Sequence, residues 1–84
     1  MTGRSHYLPR ASVLEKMGEY DRAQVLDYHL RQLEEEIDGL KSGYIYVTDG
    51  KGRAHQLRLV RARMRRLVAL AQSFGFWLEE KEAA

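Results

Sequence analysis

The sequence predicts a mainly α fold: an antiparallel, coiled-coil-like helical hairpin with a short N-terminal helix and an extended or β-hairpin tip between the two long helices. Three observations carry this. Two apolar seams repeat with alternating spacings of three and four residues, the charges flanking the seams are complementary, and a run of aromatic, β-branched and glycine residues separates them. The chain has 84 residues, no cysteine and one proline, which is room for a single small domain, 1–84. A chain of this size buries only about 60–65% of its unfolded surface, so its core must be economical or completed by a partner.

The first element is a short helix at 12–18. Ser12 followed by Glu15 has capping-box spacing, in which hydroxyl and carboxylate satisfy free amides at a helix start, and Gly18 offers a stop. Asp21, with Gln24 three residues on, caps a second helix over 21–42 that Gly43 ends. Its seam is Ala23, Leu26, Leu30, Leu33, Ile37 and Leu40. A third helix over 55–79 carries Leu57, Val60, Met64, Leu67, Ala71, Phe74 and Leu78, with Gly75 placed to weaken, bend or end it. The local alternation of Leu57 and Leu59 with Gln56 and Arg58 keeps a strand over 53–59 open as the competing reading.

Between the helices runs the tip, 43–53. Tyr44 to Thr48 suits extended, half-buried chain, and Asp49-Gly50 and Lys51-Gly52 supply turn chemistry. Either these residues pair 44–48 with 53–57 as a β-hairpin, or the extended segment is there for a partner. An extended segment offers unpaired backbone groups and alternates its side chains, Tyr44 and Tyr46 on one face, Ile45 and Val47 on the other.

Folding the seams against each other sets Leu40 opposite Leu57, Ile37 opposite Val60, Leu33 opposite Met64, Leu30 opposite Leu67, Leu26 opposite Ala71 and Ala23 opposite Phe74. Small residues then face large ones in the last two layers. Glu34 comes to flank Arg61 and Glu36 to flank Arg63, and these signs fix the antiparallel orientation although each exposed pair contributes only ~0.2–1 kcal/mol. Val68, Leu70, Phe76 and Trp77 lie off the seam at the end away from the tip. The segment with Tyr7, Leu8, Val13, Leu14, Met17 and Tyr20 is near enough to cover them, and a homodimer face is the alternative cover.

Charge divides by halves: residues 1–42 carry a net −2 and residues 43–84 a net +4. Arg53, Arg58, Arg61, Arg63, Arg65 and Arg66 fall in a stretch without a single acid. Once Arg61 and Arg63 are matched to the acidic helix, Arg58, Arg65 and Arg66 remain on the outer face as candidate nucleic-acid contacts.

No catalytic constellation accompanies these features. His6, His29 and His55 lack metal-site spacing and have no thiol beside them. Asp49-Gly-Lys-Gly-Arg53 does not complete a phosphate-loop pattern, and Glu34, Glu35 and Glu36 point to different sides of a helix. No catalytic, cofactor or metal residue is therefore assigned, and the chain reads as no enzyme. The longest uncharged apolar run, Leu67 to Ala71, is far below the ~20 residues of a membrane span. The N-terminus shows no secretory signal, so the expectation is a cytoplasmic protein without a membrane partner.

The order helix, Tyr-rich tip with Asp-Gly, helix resembles the plan of small phage head–tail joining proteins, although this tip is shorter. The pairing of an acidic helix with an arginine-rich one resembles the two-helix ribosomal proteins, although here the tip is longer. These resemblances are of plan and rest on no specific motif. Small size, no enzyme signature and an elaborate tip fit a stoichiometric binder of a larger protein complex, a regulator, inhibitor, adaptor or assembly factor, of the kind phages and mobile elements encode. Tyr44, Ile45, Tyr46, Val47, Lys51 and Arg53 form its partner-binding tip. Nucleic-acid binding through the arginine-rich helix is the alternative.

Overall fold

The computed structural model describes residues 8–43, 45 and 52–78. Among them are three helices, α1 (Ala11–Glu15), α2 (Glu19–Ser42) and α3 (Gly52–Ser73), and no strand. The two long helices pack against each other along their seams. Leu26, Leu30, Leu33, Ile37 and Leu40 of α2 and Val60, Met64, Leu67 and Ala71 of α3 are all buried. The outer seam positions Ala23, Leu57, Phe74 and Leu78 are half-buried. Two contacts fix the antiparallel alignment: Arg63 of α3 lies 4.0 Å from Glu36 of α2, and the Arg22 guanidinium of α2 sits 4.6 Å from the centre of the ring of Phe74, just beyond the end of α3.

The helix boundaries differ from the sequence reading, each for a local reason. Helix α1 starts earlier than 12, because Arg10, extended at φ −82° and ψ 142°, is its N-cap and accepts from the amides of Val13 and Leu14. No side chain caps it, so Ser12 lies inside the turn and is not its cap. Gly18 does not stop this helix; it is the N-cap of α2, accepting from the Arg22 amide at 2.9 Å. Asp21 is consequently in the first turn with Glu19 and not at the cap. Both carboxylates face the positive end of the helix dipole there.

Residues 53–59 are helical, which excludes the strand and any pairing of 44–48 with 53–57 as a β-hairpin. The alternation of Leu57 and Leu59 was two residues deep, whereas the helical seam continues through Val60, Met64, Leu67 and Ala71; Leu59 is turned to solvent. At its other end α3 stops at Ser73 and not at 79. Gly75 adopts the left-handed conformation at φ 86°, its amide donating to Gln72 O (2.9 Å) and that of Phe76 to Ala71 O (2.9 Å). This pair of bonds is a Schellman termination, which satisfies the last carbonyls by turning the chain back. Phe74, Phe76 and Leu78 thus reach the core from outside the helix.

The N-terminal segment contributes Leu14, fully buried, with Leu8 and Met17 partly buried against the same core. Arg22 holds it in place by donating Nε to Leu14 O and Nη2 to Met17 O, each at 2.9 Å. Cover at this end is incomplete. Val68, Leu70 and Phe76 are half-buried, but Trp77, expected beneath the N-terminal segment, is 76% exposed, and Tyr20 and Val13 also face outward. Helix α1 is a single turn, and of its residues only Leu14 is buried.

Candidate functional site

Gly43 ends α2 in the left-handed conformation at φ 83°, which reverses the chain at the tip without the strain a side chain would meet. The reversal brings Ile45 back onto α2, where its amide donates to Gly39 O at 3.0 Å. Its side chain packs against the core as a partly buried residue. Gly39 is the reason this approach is possible. A Cβ there would lie 2.6 Å from both Ile45 Cγ1 and Cδ1, well inside van der Waals contact. The carbonyl of Gly39 also accepts from Ser42 Oγ at 3.3 Å, so the end of α2 and the first step of the tip share one anchor.

Of the predicted tip residues, Ile45 is therefore on the hairpin side and Arg53 is exposed at the start of α3. A Cβ at Gly43 would sit 3.6 Å from Arg53 Nη2, so this guanidinium lies across the end of α2. Tyr44, Tyr46, Val47 and Lys51 lie outside the described residues.

The arginines of α3 separate into two groups. Arg61 and Arg63 are half-buried on its flanks, Arg63 beside Glu36, with Nη1 of Arg63 shielded from solvent and without a hydrogen bond. Arg58, Arg65 and Arg66 are exposed. On α2 the acidic cluster divides likewise. Glu34 is 5% exposed, its Oε1 accepting from Arg31 Nη1 at 2.6 Å, while Glu35 and Asp38 are in solvent. Arg31 also reaches Asp27 at 3.2 Å. The hydrogen bond to Glu34, aided by the charges of Glu34 and Asp27, raises the Arg31 pKa above its usual value. Spacings of three and four residues bring these side chains together on one turn.

His29 is half-buried and meets Tyr28 edge-on at 5.6 Å between ring centres. Desolvation lowers its pKa below 6.5, so the neutral imidazole is favoured at neutral pH. His55 is half-buried near the start of α3, and His6 lies outside the described residues. Among the described residues no three His, Asp or Glu side chains group as a metal site, and no helix is long and apolar enough to cross a membrane.

Sequence reasoning missed three positions that organise these surfaces. Arg22 was unassigned, although an arginine one residue before seam position Ala23 is well placed to meet Phe74. Gly39 was also unassigned; a glycine inside a helix, where it costs roughly 1 kcal/mol, is the signal of a close approach. Arg31, three residues before Glu34 and four after Asp27, was legible from helical spacing alone. No protein-family model, curated protein or solved structure matches this chain.

Proposed function

We propose that the protein is a non-enzymatic, cytoplasmic binding module that acts stoichiometrically on a larger protein complex, as a regulator, inhibitor, adaptor or assembly factor, and that it binds through the tip. The supporting observation is the return of Ile45 onto Gly39. With Ile45 held against the hairpin as the anchor of the tip, its sequence neighbours Tyr44 and Tyr46 are the side chains we assign to the partner. Tyrosine is favoured at interface centres because it buries a large area for few frozen torsions. Val47, Lys51 and Arg53 complete the proposed binding set, Lys51 and Arg53 adding positive charge to it. The end of a rod-like hairpin roughly 30 Å long suits insertion into a recess of a larger assembly, since a twenty-residue helix rises about that far.

The test is capture of a partner by the immobilised chain, with nuclease treatment throughout. A protein partner should survive nuclease and be lost with the Tyr44→Ala, Tyr46→Ala double variant, whose helicity by circular dichroism should match that of the parent. Undiminished capture by that folded variant would exclude the tip.

A further inference from the structure

Helix α3 carries six arginines and no carboxylate between Gly52 and Ser73. Its inward side is defined by Val60, Met64, Leu67 and Ala71. At 3.6 residues per turn, Ala62 and Ala69 then run along the middle of the opposite, outward side. Arg58 and Arg65 lie to one side of this line and Arg66 to the other. All three arginines are exposed, and among the described residues none is engaged by a carboxylate. The exposed Glu35 belongs to the outward side of α2, so the body of the hairpin separates it from this face.

We infer that the outward face of α3 binds the phosphate backbone of double-stranded DNA, as a second interface independent of the tip. Charge complementarity carries the inference: guanidinium groups that no carboxylate engages among the described residues, on a helix with no acid of its own, match a dense row of phosphates. Shape selects the duplex. A helix is about 10–12 Å across, the major groove of B-DNA is about 12 Å wide, and small side chains along the midline let the helix enter while arginines on both sides reach the two strands. The narrow major groove of A-form RNA does not admit a helix. The midline positions that would face the base edges are Ala62 and Ala69, which carry no hydrogen-bonding side chain, while the arginines flank them toward the phosphates, so binding is tolerant of sequence.

The test is fluorescence anisotropy of a labelled 20-base-pair DNA duplex of arbitrary sequence with the full chain. Three phosphate contacts imply a slope of about −2.7 in log affinity against log salt, which is about a 40-fold loss between 50 and 200 mM. The Arg58→Gln, Arg65→Gln, Arg66→Gln variant should bind at least about tenfold more weakly and lose most of the salt dependence. The Tyr44→Ala, Tyr46→Ala variant should bind DNA like the parent, which separates this inference from the tip reading. No binding by the parent at 50 mM salt would overturn it, as would undiminished binding by the triple variant or equal affinity for an RNA duplex or single-stranded DNA. If the triple variant loses its helicity, the parent's own salt slope decides: a slope shallower than about −1 means that the three arginines do not act together.

Discussion

The middle of the hairpin and its open end are built from similar residues and reach different degrees of closure. In the middle, Leu30, Leu33 and Ile37 meet Val60, Met64 and Leu67, and none of the six is more than 4% exposed. At the open end Leu14, Leu26 and Ala71 are fully buried, yet Tyr20 and Trp77 are 74% and 76% exposed. Where both helices continue, each layer is covered by the next turn of its neighbour. Where they stop, burial depends on irregular segments, and here one side chain, Arg22, joins the carbonyls of Leu14 and Met17 to the face of Phe74. A repeating pattern guarantees its own cover; apolar residues outside the pattern are covered only if the chain happens to return over them.

The largest effect expected from this contrast is in the middle. Leu33→Ala and Met64→Ala should each lower stability by about 2–5 kcal/mol in urea denaturation, since each leaves a cavity between two continuous helices. Unchanged midpoints in both variants would break the facing-seam arrangement itself. At the open end Arg22→Ala should cost less, about 1–3 kcal/mol, for two lost hydrogen bonds to carbonyls and one lost ring contact. Hydrogen exchange should locate that loss in 8–20 and 74–78 and not in the seam; uniform loss of protection would show that the two regions are one cooperative unit. Smallest of all, Tyr20→Ser and Trp77→Ser should each move stability by no more than about 0.5 kcal/mol, because the side chains are in solvent already. A cost comparable to that of Leu33→Ala would erase the distinction between the regions.

The candidate surfaces were legible to unequal degrees for related reasons. Arg58, Arg65 and Arg66 could be assigned to an outer face because helical periodicity fixes direction once the seam is known. Which arginines meet a carboxylate is a matter of side-chain placement, and Glu34 also accepts from Arg31 of its own helix, a contact that spacing along α2 allows in addition to any across the hairpin. At the tip, the composition of Tyr44 to Thr48 suggested extended chain but could not choose between a hairpin and a free segment. Gly39 and Ile45, six residues apart, make the contact that fixes the first step of the tip, and a contact across a chain reversal has no periodic signature.

The sequence by itself determined the two long helices, their inward faces, their antiparallel alignment and the glycine that ends α2. These follow from short-range spacing repeated over many turns, where each layer restates the same instruction. Only the tertiary structure decided the other boundaries: Gly18 became a cap, Gly52 opened α3, Gly75 closed it, and 53–59 joined the helix. Each is a competition between local options of similar energy, settled by which one lets Leu14, Phe76 or the start of the second seam reach the core. Tertiary structure likewise decided which apolar residues outside the seams are covered, because burial there is a property of where two distant segments meet and not of either segment alone.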